Sequence, residues 1–107
     1  MPNLDASFGA LADPTRRAIL ARLALGEATV NELVEPFDMT QPAISRHLKV
    51  LENAGLISRG RDAQWRPCRL APKAMTEIDQ WLDMLRKALS ANYDRLDGVL
   101  AAMKSEQ

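Results

Sequence analysis

The sequence has one cysteine and one histidine in 107 residues. The single cysteine, Cys68, excludes a disulfide within the chain, which is typical of a protein from a reducing compartment. No apolar run approaches the roughly 18–20 residues that a membrane-spanning helix needs, and the N-terminus has no basic segment followed by an apolar core. We therefore expect a cytoplasmic protein that does not contact a membrane.

Residues typical of catalytic sites are also scarce. Cys68 and His47 are predicted on different elements, and no carboxylate is placed to orient the histidine. The sequence has no glycine-rich phosphate-binding loop and no clustered pair of acids. These absences argue against an enzyme, and no cofactor is predicted.

The net charge is zero, which argues against a protein that binds any polyanion, but the charges are unevenly distributed. Residues 1–39 have three Lys or Arg against six acids, and residues 73–107 have five against six. Residues 40–72 have six Lys or Arg against two acids. The positive charge is therefore concentrated in the middle of the chain.

That basic segment begins with a predicted helix. Thr40 is a favourable N-cap, Pro42 fits the first turn, and Gly55 fits the left-handed position that ends a helix. One face is apolar and is predicted to be buried: Ile44, Leu48 and Leu51. A second face has amide, hydroxyl and positively charged groups but no carboxylate: Gln41, Pro42, Ser45, Arg46 and Lys49. Such a face suits DNA base edges and phosphates.

Two short helices are predicted at the N-terminus. Residues 4–11 have apolar side chains at helical spacing. Asp13 as N-cap and Pro14 at the first helical position then begin a second helix, which runs to about Leu25. Arg16 lies near the apolar stripe of this second helix, where its side chain either covers the edge of the core or contacts a phosphate.

A third short helix begins with a capping box formed by Thr29 and Glu32. We predict a turn at residues 36–39, directly before the basic helix. Two short helices joined by about four residues, the second with a polar and basic face, are typical of a helix-turn-helix. Residues 29–55 are therefore assigned to this motif.

The pattern changes after the basic helix. Residues 56–59 and 65–70 are predicted as two strands joined by a loop, and Pro67, which cannot donate to a ladder, fits an edge strand. The hairpin has one acid, Asp62, and four arginines: Arg59, Arg61, Arg66 and Arg69. A solvated hairpin often carries charges, but the neighbouring helix favours a DNA-contacting wing over residues 56–70. Its candidate DNA contacts are Arg59, Arg61 and Arg66.

A long helix is predicted from Pro72 to about Met103. Apolar residues repeat every seven residues in two alternating positions: Met75, Leu82, Leu89, Leu96 and Met103, and Ile78, Leu85, Asn92 and Val99. One helix cannot bury this stripe against its own small domain, so residues 4–11 and 73–103 are predicted to form a homodimer. The candidate dimer contacts are Leu4, Phe8, Leu82, Leu85, Leu89, Asn92, Leu96 and Val99. Asn92 either fixes the register of the pair or lies near the surface.

Two blocks of the sequence have a characteristic composition and separation. They run from Leu11 to Leu20 (LADPTRRAIL) and from Ser45 to Leu51 (SRHLKVL), followed by residues 54–57 (AGLI) and by Arg69-Leu70. Together they resemble the ArsR/SmtB family of bacterial winged-helix repressors. The resemblance implies a mainly α (α+β) winged helix-turn-helix domain over residues 1–107, with about five helices and a two-stranded hairpin before the last.

The resemblance also implies a function. It implies a homodimeric transcriptional repressor that binds double-stranded DNA at a near-palindromic operator, with helix 40–54 in the major groove and the wing beside it. Carried over by position, the residues that contact DNA are Thr40, Gln41, Ser45, Arg46 and Lys49. His47 belongs to the same segment but falls toward the buried side, where we expect it to pack or to hydrogen-bond. A winged-helix module that binds a protein instead of DNA is the alternative, and the basic segment disfavours it.

The sequence departs from the metal-sensing members of that family. They carry paired cysteines on the helix before the recognition helix, or His and carboxylate pairs on the last helix, and neither set is present here. Zinc-type sites use Cys or His, so we predict no metal site and identify no effector. Cys68 is either a small core residue or, if Arg66 and Arg69 lower its pKa, the sensor of a thiol-based redox-sensing repressor.

Overall fold

The structure is a computed structural model that describes residues 4–60 and 66–105. Five helices and two short strands follow one another in these residues: α1 (Leu4–Leu11), α2 (Pro14–Leu23), α3 (Val30–Phe37), α4 (Gln41–Asn53), β1 (Ile57–Arg59), β2 (Cys68–Leu70) and α5 (Pro72–Ser105). The chain divides into two compact units between Glu77 and Ile78. No helix in the described residues has the length and hydropathy needed to cross a membrane. The order of elements confirms the predicted fold.

Capping residues begin α2 and α3 as predicted. Asp13 Oδ2 accepts a hydrogen bond of 3.0 Å from the backbone N–H of Arg16, and this donor lowers the pKa of Asp13. Thr29 Oγ1 accepts from the backbone N–H of Glu32 at 3.3 Å, and Glu32 Oε1 accepts from that of Thr29 at 3.1 Å. The second of these bonds lowers the pKa of Glu32. Each cap satisfies N–H groups that the first turn of a helix leaves without a partner.

The ends of α2 and α3 differ from the prediction. α2 ends at Leu23, two residues before Leu25. α3 continues through Pro36 and Phe37, so the predicted turn at residues 36–39 is shorter than expected. Pro36 lies in the last turn of α3, where its missing N–H removes only one hydrogen bond from the helix. Asp38 then ends α3 in the left-handed conformation, with φ 51°.

The core of the first unit is formed by the inward faces of α2, α3 and α4 with the hairpin. α1, α2 and α4 pack against one another, α3 packs on α4, and α2 also contacts β2. The largest fully buried apolar side chains in the described residues are Ile19, Leu33, Ile44, Leu48, Leu51 and Leu56. The three from α4 are the predicted buried stripe. Their burial fixes the rotation of α4 about its own axis and thereby directs the opposite face outward.

The two hairpin strands are shorter than predicted. In addition, β2 pairs with Ala28, which was not predicted. β1 and β2 pair antiparallel, with Ile57 opposite Leu70 and Arg59 opposite Cys68. Pro67 precedes β2 instead of lying within it. Cys68 also pairs with Ala28, at 3.0 and 2.7 Å between the backbone N and O atoms. The segment before α3 therefore extends the two-stranded ladder, and the far side of β2 is not left unpaired at this residue.

Gly60 and Pro67 close the described part of the hairpin. The Gly60 N–H donates to the Pro67 carbonyl at 2.8 Å, and a Cβ at position 60 would lie 2.9 Å from Pro67 Cδ. We expect Gly60→Ala to lower the free energy of unfolding by about 1–3 kcal/mol, because the proline ring is tied to the backbone and cannot move aside freely. Urea unfolding monitored by circular dichroism measures this change.

Gly98→Ala is the matched control for that substitution. Gly98 lies in α5, and a Cβ there meets nothing within 4 Å. The same added methyl group should therefore raise helix stability by about 0.5–1 kcal/mol. Equal effects of the two substitutions would contradict the proposed contact between residue 60 and the Pro67 ring.

Candidate nucleic-acid interface

The outward face of α4 carries most of the side chains predicted to contact DNA. Gln41, Arg46 and Lys49 are exposed, and Ser45 is half-buried. No carboxylate in the described residues forms an ion pair with Arg46 or Lys49. Their charges are therefore available to a partner outside the chain, and an unpaired cation on a fixed helix face suits phosphate oxygens or the acceptors of guanine.

Thr40 has a structural role before any contact with DNA. Its Oγ1 accepts a hydrogen bond of 3.3 Å from the backbone N–H of Ala43, which makes Thr40 the N-cap of α4. The hydroxyl proton is not used in this bond and can be donated to an acceptor outside the chain. The residue is exposed, so both roles are compatible with its position.

The three arginines predicted as wing contacts differ in exposure and in what the structure describes of them. Arg66 is exposed and lies beside β2. Arg59 is half-buried, and its Nε is buried without a hydrogen-bond partner in residues 4–60 and 66–105. Arg61 lies outside the described residues. The nearby Arg69 is exposed but forms an ion pair of 2.6 Å with Glu27, which partly neutralises it. Among the described wing arginines, Arg66 is thus the exposed one that forms no ion pair with a described carboxylate.

Arg16 and Arg17 bind the C-terminal end of α1, which the sequence did not reveal. The last carbonyls of a helix have no partner within it, and α1 has no basic residue in its last turn. Arg16 Nε donates to the Ala10 carbonyl at 2.7 Å, and Arg17 Nη1 donates to the Leu11 carbonyl at 2.7 Å. The two cations of α2 therefore cap α1, where positive charge also interacts favourably with the helix dipole.

Arg16 differs from Arg17 because it also contacts α4. Its Nη1 lies 3.4 Å from His47 Nδ1, and Asp13 Oδ2 lies 3.9 Å from the same nitrogen. The predicted hydrogen-bonding role of His47 is consistent with this contact. The helical spacing predicts that Arg16 lies at the edge of the core. The contacts of its guanidinium with α1 and α4 depend on how these helices pack, which the spacing does not show.

Cys68 is enclosed. Its relative exposure is 0%, and burial raises the pKa of its thiol, against the smaller opposing effect of Arg59. A reactive thiol needs a lowered pKa and access to solvent. The structure therefore disfavours the redox-sensing alternative and identifies Cys68 as a small core residue at the junction of β2 with Ala28.

The predicted dimer contacts fall into two groups. Leu4 and Phe8 of α1 are half-buried. The residues of α5 are exposed within the single chain: Leu82, Leu85, Leu89, Asn92, Leu96 and Val99. The apolar members of that list are large side chains, and Leu89 and Leu96 are 52% and 54% exposed. Such a contiguous apolar stripe is unusual on an isolated helix in water.

Comparison with known proteins identifies the family. A family model described as "Bacterial regulatory protein, arsR family" matches residues 13–59, from the cap of α2 to the end of β1. The arsenic resistance transcriptional regulator ArsR1 of Pseudomonas putida is 41% identical over 91 residues, which are 83% of this chain and 68% of that protein. The chain belongs to the ArsR family. It is thus a DNA-binding transcriptional regulator, and the family to which it belongs is regulatory, not enzymatic.

Two further similarities agree with this assignment to the ArsR family. The transcriptional repressor SdpR of Bacillus subtilis is 36% identical over 75 residues, which are 70% of this chain and 83% of that protein. The crystal structure of an ArsR family transcriptional regulator superimposes with a TM-score of 0.74 at 40% identity, covering 81% of this chain and 90% of that chain. The predicted family and the predicted winged-helix fold are both confirmed.

Proposed function

We propose that this ArsR-family chain is a homodimeric repressor that binds a near-palindromic operator, with α4 in the major groove. The observation that supports this most strongly is the outward face of α4, because its cations have no ion-pair partner in the described residues. An α-helix fits the major groove, where Arg pairs with guanine and amides pair with adenine. Thr40, Gln41, Ser45, Arg46 and Lys49 are the proposed contacts from this helix.

The wing is proposed to extend this contact along the DNA. Arg66 is exposed, and none of the described carboxylates forms an ion pair with it, so it is the proposed phosphate contact of the described wing residues. Arg59 contributes less, because its buried Nε holds part of the guanidinium inside the protein. Arg61 is assigned to the wing contact from the sequence alone. A regulator that acts on bacterial genomic DNA works in the cytoplasm, which is the localisation that we propose.

The homodimer is proposed from the exposed stripe of α5. A second copy of the chain presents the same heptad pattern, so the two stripes can pack knobs-into-holes along a two-fold axis. Leu4 and Phe8 of α1 are proposed as further dimer contacts. In a symmetric dimer the two copies of α4 meet half-sites whose centres lie about one helical turn, roughly 10 bp, apart.

The inducing signal is proposed to act without a cluster of cysteine ligands. The relative from P. putida is named for arsenic resistance, but this chain has a single cysteine. That thiol is enclosed and has a raised pKa, whereas a soft metal or metalloid binds the thiolate form. The repressor name of the relative from B. subtilis supports repression as the regulatory outcome.

Binding to the promoter region of its own gene tests the proposal. We expect a shifted complex in electrophoresis and a footprint with two protected half-sites about 10 bp apart. Affinity should fall steeply with salt, roughly a thousandfold or more between 50 and 200 mM if six to ten phosphates are contacted. Scrambled DNA of the same composition is the control. A flat salt dependence, or equal affinity for the scrambled DNA, would contradict the proposed operator binding.

A further inference from the structure

We propose that Arg16 is a positioning residue for DNA binding, which ties α4 to the C-terminal end of α1 through His47. The inference rests on the proposed DNA-binding role of α4 and goes beyond it, because Arg16 is assigned no contact with DNA. Arg16 lies on α2, and its guanidinium contacts two other helices of the first unit. It donates hydrogen bonds to carbonyls of α1 and contacts the side chain of His47 on α4.

The contacts at Arg16 use most of its donor groups. Nε donates to the Ala10 carbonyl at 2.7 Å, and Nη2 donates to the Gly9 carbonyl at 3.3 Å. Nη1 lies 3.4 Å from His47 Nδ1 and donates to it when that nitrogen carries the lone pair. The guanidinium is planar, so the two hydrogen bonds from Nε and Nη2 to α1 also fix the direction in which Nη1 points toward α4.

His47 is where this arrangement meets the DNA-binding surface. It follows Arg46 directly in α4 and is half-buried, while Arg46 is exposed. Asp13 Oδ2 lies 3.9 Å from the same His47 nitrogen and is itself held by the backbone N–H of Arg16. A change in the angle of α4 about this point would move the side chain of Arg46, and small errors in position weaken bidentate contacts strongly.

Arg17 provides a control within the same helix. It donates to the Leu11 carbonyl at 2.7 Å, so it also caps α1. However, its side chain is exposed, and it forms no hydrogen bond to α4 in the described residues. Arg16→Met and Arg17→Met both remove one positive charge and keep an unbranched apolar stem. The first removes two hydrogen bonds to α1 and the second removes one. Only Arg16→Met removes the contact with His47.

The experiment measures operator affinity against salt concentration for the wild type, Arg16→Met and Arg17→Met. We expect Arg16→Met to weaken operator binding about tenfold, and Arg17→Met to change it less than about twofold, because only the first loses a charged hydrogen bond to α4. The slope of log affinity against log salt should be the same for all three proteins. An unchanged slope shows that no phosphate contact was lost.

His47→Ala approaches the same contact from α4 and leaves the bonds to α1 intact. It should weaken operator binding by the same factor as Arg16→Met, and the double variant should lose little more than either single variant. If Arg16→Met does not fold, His47→Ala and Arg16→Lys are compared instead. Lys keeps the charge but lacks the fork that joins α1 to His47, so it should also weaken binding.

Three outcomes would overturn the inference. A slope reduced by about one for Arg16→Met would make Arg16 a direct phosphate contact. Equal losses for Arg16→Met and Arg17→Met would assign the effect to the capping of α1 alone. Unchanged affinity for both Arg16→Met and His47→Ala would show that the contact does not position α4. Failure of the wild-type protein to bind its operator is a different result, because it contradicts the proposed function itself.

Discussion

Replacing Arg46 with alanine is expected to weaken specific operator binding by about 1–3 kcal/mol, which is a rise in Kd of roughly five- to 150-fold. Arg46 is exposed on α4, and no described carboxylate pairs with it. Its guanidinium can therefore donate two parallel hydrogen bonds to O6 and N7 of a guanine, and alanine leaves those acceptors unpaired. Fluorescence anisotropy with a labelled operator at constant salt measures the change.

The comparison of specific and non-specific DNA distinguishes base recognition from simple charge attraction. If Arg46 contacts a base, Arg46→Ala should weaken operator binding more than binding to scrambled DNA. Lys87→Ala is the control, because Lys87 is an exposed cation of α5 that pairs with Asp83 at 3.0 Å. It should leave operator affinity unchanged. An Arg46→Ala protein with wild-type operator affinity would remove Arg46 from the interface.

Replacing Leu89 with glutamate is expected to convert the dimer to a monomer at micromolar concentration. Leu89 lies in the middle of the α5 stripe and is half exposed in the single chain. About half of each Leu89 is already covered in the single chain, so the two leucines of a symmetric dimer together lose roughly 1.5–3 kcal/mol of burial. The dimer Kd should therefore rise at least about tenfold from lost burial alone, and the added carboxylates oppose burial further. Analytical ultracentrifugation measures the change.

Ala91→Glu is the matched control for the interface. Ala91 is exposed and lies two residues after Leu89, about 200° around the helix, so its side chain points away from the stripe. The same carboxylate should there leave the dimer intact. Leu89→Glu should also weaken operator binding, because two half-sites are no longer held by one molecule. If Leu89→Glu and the wild type dissociate at the same concentration, α5 does not form the interface through this position.

The helix starts could be predicted from the sequence because capping is local. Asp13, Thr29 and Thr40 each bond to a backbone N–H three residues away, and prolines follow two of them in the chain. The polar face of α4 could be predicted for the same reason, since one helix supplies all of its residues. The family resemblance then supplied the function that the composition alone left open.

Other features depend on contacts between distant residues. The pairing of Ala28 with Cys68 joins segments forty residues apart, and nothing in the composition around Ala28 indicates a strand. The turn predicted at residues 36–39 is longer than the observed one, because α3 packs on α4 and continues through Phe37. The path of the Arg16 side chain depends on where α1 and α4 lie relative to α2.

The buried thiol of Cys68 is inaccessible to reagents in the folded protein and becomes accessible only when the structure around it opens. The thiol is the single cysteine of the chain, and it lies where β1, β2 and the segment before α3 meet. A thiol reagent can modify it only after those strands separate. The rate at which a thiol reagent labels the native protein therefore reports how often the pairing of β2 with β1 and with Ala28 opens. The measurement can be made with and without DNA, and it needs no engineered cysteine.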